Sequence, residues 1–121
     1  MGAQEYNRTA WPLLVHIACK SETVTYQDVA NAVNRACGTK LTGHLAGKHA
    51  LDLIETWCLG HGVPDLTAVV VSKEAGIPGE DFYRRNGLER NASKGVRHNR
   101  WSLIRNRVWA HSYDADAPPD L

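Results

Sequence analysis

Apolar residues recur at helical spacing in several stretches of the chain. In the first, Trp11, Leu14, Val15, Ile17 and Ala18 fall on one face, the three-to-four periodicity of an amphipathic helix. Thr9 is placed to cap it, and Pro12 suits a first turn, where no backbone donor is needed. The pattern therefore predicts a helix starting near Trp11. After the polar break KSET and the short β-prone piece TVT, Val29, Ala30 and Val33 mark a second helix. Thr25 is its N-cap, Asp28 lies three residues on in an approximate capping box, and Gly38 ends it. A third helix is predicted from about Thr42 to Leu59. Leu45, Leu51, Leu53, Ile54, Trp57 and Cys58 supply its burial, and GHGVP stops it.

The pattern then changes. LTAVVVS reads as a buried strand, and KEAGIPGEDFY as a turn and a return strand, with Gly76, Pro78 and Gly79 as the turn chemistry. Residues 84–100 are polar, basic and glycine-punctuated, and read as loop. RWSLIRNRVWAHSYD is a last helix with Trp101, Ile104, Val108 and Trp109 as its stripe, or a short β segment; ADAPPDL is a tail. This order gives an α+β fold: a winged-helix-like helical trio with a β-hairpin over residues 5–83, plus a basic C-terminal extension. Residues 84–121 form that extension, a basic arm and C-terminal packing segment. In a winged helix the third helix is the one presented to a nucleic-acid groove.

Composition narrows the class. A chain of 121 residues with 43% hydrophobic and 22% charged content is one ordinary folded domain. No apolar run approaches the ~20 residues needed to span a bilayer. The opening MGAQEYNRTA has no apolar signal segment, and Tyr6 stands where a myristoylation signal has Ser or Thr. The expectation is a cytoplasmic protein with no membrane partner. Cys19, Cys37 and Cys58 are odd in number and widely spaced, which fits small buried hydrophobes better than a disulfide framework or a zinc knuckle.

Charge is distributed unevenly behind a net of +1. Between residues 84 and 107, Arg84, Arg85, Arg90, Lys94, Arg97, Arg100, Arg105 and Arg107 face Glu89 alone. The remaining chain holds six basic and twelve acidic residues. A basic arm on a mildly acidic body points to an anionic partner, or else to a solvated loop.

The stretch TGHLAGKHALDL places Gly43 and Gly47 inside the predicted third helix, at a cost of roughly 1 kcal/mol each relative to alanine. Gly43, Ala46, Gly47 and Ala50 line one smooth face. Either a phosphate backbone or a neighbouring helix could approach it closely. His44 and Lys48 are four apart and share the adjacent face, as two contacts to phosphate or base would require, or as a solvated face would.

The run WPLLVHIACKSETVTYQDVANAV resembles the start of the C-terminal domain of alkylguanine-DNA alkyltransferases, through Glu22, Thr23, Val24, Thr25, Tyr26, Val29 and Ala30. His44, Leu45, Ala46 and Gly47 fall on the family's Arg-Ala-Val-Gly helix, and Pro64 on the proline that opens its next segment. The resemblance covers about residues 11–76. It implies a third helix in the DNA minor groove, His44 in place of an arginine that fills the gap left by a rotated nucleotide, and Tyr26 crowding the rotating phosphate. The family's nucleophile lies in Pro-Cys-His-Arg, whereas LTAVVVSKEAG has no cysteine, histidine or arginine. Covalent alkyl transfer needs an activated thiolate, so alkyltransferase-like proteins, which lack that cysteine, are the nearer analogy.

The expectation is a non-catalytic binder of double-stranded DNA, contacting groove and phosphates through Tyr26, His44, Gly47, Lys48, Arg84, Arg85, Arg97 and Arg100. No catalytic residue, cofactor or metal is assigned. Cys58 and His61 have metal-like spacing but no second pair. His16 and His111 sit beside apolar residues and read as structural; His98 adds to the basic cluster. Two alternatives stand beside this. One is a protein-interaction module of a mobile-element or defence system, whose arm grips an acidic protein partner. The other is a nucleic-acid-processing enzyme using histidine acid–base chemistry, with His44, His49, Glu55 and His61 as candidates.

Overall fold

The computed structural model describes residues 2–88 and 91–121; Glu89 and Arg90, the latter counted in the basic arm, lie outside them. Six α-helices and two short strands are formed among the described residues. Helix α1, Ala3–Cys19, is followed by β1, Val24–Thr25, and α2, Tyr26–Cys37. Thr25 caps α2 by accepting from the Asp28 N–H at 3.1 Å, and Gly38 closes it at φ 69°, as the local pattern predicts. Asn34 shapes the next turn. Its Oδ1 accepts from the Leu41 N–H and the Thr39 hydroxyl, and its Nδ2 donates to the Leu41 carbonyl.

The helix expected over 42–59 is two helices, α3 at Gly43–His49 and α4 at Asp52–Gly60. The break is made from outside. Asn7 of α1 is fully buried, and its amide reaches across both helix ends. Nδ2 donates to the His49 carbonyl at 3.1 Å and to Asp52 Oδ1 at 3.0 Å, and Oδ1 accepts from the Leu53 and Ile54 N–H groups, both at 3.1 Å. One side chain thus takes up a last carbonyl of α3 and two first-turn donors of α4, the groups that a helix leaves without partners. The same contacts explain why α1 begins at Ala3 rather than near Trp11. The turns upstream carry Asn7 and Ala10 into the core, and Pro12 is tolerated on the exposed side of a helix that passes through it.

The expected hairpin is not formed. Leu66–Val69 is a single 3₁₀ turn and only Val70–Val71 extends, as β2. Asp65 accepts from the Thr67 N–H at 3.0 Å and its hydroxyl at 2.6 Å, a local turn that competes with strand geometry. β2 pairs with β1 in parallel, Val24 with Val70 and Thr25 with Val71, so the chain between them crosses over through α2, α3 and α4. The expected return strand is helix α5, Glu80–Arg85. Glu80 and Asp81 in its first turn and Arg84 and Arg85 in its last match the helix dipole. The fold is therefore α+β, mostly helical, with one two-stranded parallel sheet.

The loop expected over 84–100 is helical at both of its ends, Arg84 and Arg85 closing α5. Ser93 caps α6, Lys94–Ala110, which starts seven residues before Trp101. Trp101 and Val108 are buried, Ile104 and Trp109 partly so, giving the expected stripe, and the Trp101 indole donates to the Ala68 carbonyl at 2.8 Å. The C-terminal segment is docked. Trp11 donates to the Asp114 carbonyl, Arg8 to that of Pro118, Gln4 to that of Leu121, and Trp57 to the Asp120 carboxylate. No helix among the described residues is long and apolar enough to cross a membrane.

Candidate functional site

A cleft of about 850 Å³ opens between two walls. One wall is the first turn of α2 and the exposed edge of α3, with Tyr26, His44, Gly47 and Lys48. The other is the segment from Ser72 to Phe82, with Lys73, Glu74, Gly79, Glu80 and Asp81. Leu51, Glu55 and Thr67 complete the lining.

Four of the eight residues singled out from sequence meet here. The glycines of α3 are explained by what faces them. A Cβ on Gly43 would come within 3.3 Å of the Gln27 backbone N, and one on Gly47 within 3.5 Å of the Tyr26 ring. Ala46 and Ala50 are fully buried. The small-residue face thus packs on the start of α2 and on the core, and a protein neighbour, not a phosphate, occupies its close approach. The contact at Gly47 is an ordinary one. Gly47→Ala is therefore expected to raise stability by about 0.5–1 kcal/mol through helix propensity, read as an upward shift in thermal midpoint. Gly43→Ala gains nothing, because Gln27 backbone must give way.

Tyr26 is half-buried, its ring beside Gly47, and its hydroxyl accepts from the Gly79 N–H at 2.9 Å, joining the two walls. Burial, the Gly79 bond opposing it, and then the negative charges of Glu55 and Asp65 push its pKa up to about 12. His44 and Lys48 are exposed at the mouth.

Of the other four residues, Arg84 and Arg97 approach the far wall through its carboxylates, and Arg85 and Arg100 do not. Arg84 pairs with Asp81 at 2.6 Å, Arg85 with Glu55 at 3.8 Å, and Arg97 with Glu80 at 3.8 Å. Arg97 also lies over the Tyr83 ring, and its side chain is only 21% exposed. Arg100 donates to the Asn86 carbonyl at 3.3 Å. The rim is of mixed sign: Lys48 belongs to the first wall, and Lys73 shares the second with Glu74, Glu80 and Asp81.

Two buried carboxyls were not assigned a place in the binding site from sequence. Asp65 is 2% exposed, with Thr67 on Oδ1 and Asn86 on Oδ2. Burial raises its pKa against the pull of those bonds. Glu55 is 7% exposed. Its pKa is pushed up to about 8, first by burial and then by the charge of Asp65, with Arg85 opposing. Glu55 thus stays largely protonated at neutral pH. The signal available in sequence was an acid beside Ile54, four residues after Leu51 and three before Cys58, on the apolar face of LDLIETWC.

Of the three histidines considered with Glu55, His44 lines the same cleft, at its mouth, and His49 and His61 do not line it. His49 and His61 are exposed; His61 stacks on Trp57 with centroids 4.1 Å apart and pairs with Asp120 at 3.3 Å. His16 and His111, expected to be structural, are exposed, and His111 lies edge-on to Tyr113. Cys37 and Cys58 are buried as expected, and burial pushes the Cys58 thiol up to about 12; Cys19 is exposed. Among the described residues no group of three or more His, Cys, Asp or Glu is placed to hold a metal ion. Comparison with known protein families, with curated proteins and with solved structures finds no match to this chain.

Proposed function

We propose that this protein is a non-catalytic DNA-binding protein, similar in role to alkyltransferase-like proteins. The helical trio α1–α3 serves as a winged-helix-type scaffold without its wing. The supporting observation is the convergence at one cleft. The exposed edge of α3, with His44 and Lys48, forms one lip, while Arg84 and Arg97 are held against Asp81 and Glu80 of the other. A duplex laid across both lips would meet cations from each side. The guanidinium groups would exchange their carboxylate partners for phosphate oxygens, which arginine binds with two parallel hydrogen bonds. Arg84 is the readiest to do so, since its side chain is 76% exposed.

The test is titration of a short DNA duplex by fluorescence anisotropy at several salt concentrations. Roughly four phosphate contacts give a slope of log affinity against log salt near −3.6. Lys48→Ala and Arg84→Ala are each expected to make that slope shallower by about 1 while weakening binding to all sequences alike. Absence of binding at low salt would end this reading.

A protein-interaction module is favoured by a different observation. Val96 and Leu103, seven residues apart on α6, are 50% and 59% exposed, and Arg100 and Arg107 are exposed on the same helix. An apolar stripe set among arginines suits an acidic protein partner. Unchanged duplex affinity in a Val96→Ser, Leu103→Ser variant assigns that face to something other than DNA.

A further inference from the structure

We infer that Glu55 is the recognition group of a site for a small uncharged heterocycle that presents an N–H donor beside a carbonyl acceptor. The site stands on geometry. Glu55 is 7% exposed yet lines the cleft, and its Oε1 has no hydrogen-bond partner. Arg85 Nε, at 3.8 Å, is too far to supply one. Buried polar atoms are nearly always paired, and this unpartnered oxygen belongs to a carboxyl in the cleft wall, where an entering ligand can complete the set. Leu51, Phe82 and the Tyr26 ring give the same cleft apolar walls that a flat ring can lie against.

The chemistry of the ligand follows from the carboxyl. Tyr26 of α2, Asp52 of α4 itself, Asp65 before the 3₁₀ turn, and Asp81 and Arg85 of α5 are the titratable and charged groups around it. Burial, reinforced by three acidic neighbours against one cationic one, holds the group protonated. A protonated carboxyl offers an O–H donor beside a carbonyl acceptor. Its complement is the lactam or imide edge of a heterocycle, joined by two parallel hydrogen bonds. A cationic ligand would meet Arg85, and an anionic one would meet the acidic neighbours. This site is independent of the nucleic-acid reading above, which runs through surface charge.

The experiment follows binding of 2-pyridone to the whole protein by NMR titration, with 1-methyl-2-pyridone, which lacks the donor, as the control. The expected result is saturable binding of 2-pyridone at pH 6.5, with shifts at Glu55 and Tyr26, and none of the methylated probe. With the Glu55 pKa about 8, binding is expected to weaken about thirty-fold between pH 6.5 and pH 9.5. Glu55→Gln keeps a donor beside an acceptor, so it retains binding and loses the pH dependence; Glu55→Leu loses binding. Equal binding of the two probes, or equal pH dependence in Glu55→Gln, overturns the assignment even if Glu55→Leu does not fold. Competition by free uracil at pH 6.5 supports a free heterocycle. Competition by a uridine oligonucleotide without competition by uracil overturns the small-molecule form and assigns the edge to a base held in a strand.

Discussion

Asn7→Ala is expected to lower the unfolding free energy by about 3–5 kcal/mol, because it strips two backbone donors and two acceptors at the α3–α4 break of a hydrogen-bond partner. The Leu53 and Ile54 N–H groups both depend on Asn7 Oδ1, and the His49 carbonyl and Asp52 carboxylate on its Nδ2. Water cannot readily replace a side chain that is 0% exposed. Chemical denaturation reports the loss directly, and the thermal midpoint should fall by more than about 10 °C. Asn7→Asp separates the two halves of the clamp. It keeps the acceptor for the Leu53 and Ile54 N–H groups but sets a carboxylate oxygen in place of the donor, against the His49 carbonyl and Asp52, so it is no rescue. A loss under 1 kcal/mol for the alanine variant would mean that α3 and α4 are broken apart by something else.

Stability should also fall with rising pH, and Glu55 sets the window. Its carboxyl titrates ordinarily near 4.5 and here at about 8. Between those values the native protein keeps a proton that the unfolded chain releases, so each step upward in pH favours unfolding. The contribution is fully present below pH 4.5, is lost progressively up to about pH 8, and is constant beyond. Because the cleft is open to water, the expected loss is about 2–3 kcal/mol, less than the full shift would give. Asp65, also raised by burial, adds a slope of the same sign that begins at lower pH. Glu55→Gln should match wild type near pH 5 and exceed its stability by those 2–3 kcal/mol at pH 9. Urea midpoints at pH 5, 7 and 9 decide it; parallel profiles for the two proteins would refute the role given to Glu55.

What could be read from the chain was local. Thr25 and Gly38 were recognisable as caps because the groups they satisfy lie within a few residues. The stripe of α6 was visible through its spacing, although the Ser93 cap that extends the helix back to Lys94 was passed over in a glycine-punctuated basic segment. Asn7 could not be read, since four of its five hydrogen bonds go to groups 42 to 47 residues away. The hairpin failed for a related reason. A turn at GIPG is compatible with either a strand or a helix after it, and the acidic pair Glu80 and Asp81 followed by Arg84 and Arg85 favours the helix. At the cleft, Tyr26, His44, Gly47 and Lys48 were found because they share neighbouring helix ends. Glu55 and Asp65 acquire their character from burial, which no neighbour in sequence announces.

The docked C-terminal segment has a consequence for how the molecule is made. The Trp11 indole waits for the Asp114 carbonyl, 103 residues downstream. At ordinary synthesis rates that is an interval of about 5–20 s. Throughout it, Trp11 can reach Trp57 but its indole N–H is without its native acceptor. Docking of the 114–121 segment therefore comes after the helices it covers have been made, a late closing step rather than part of their first collapse.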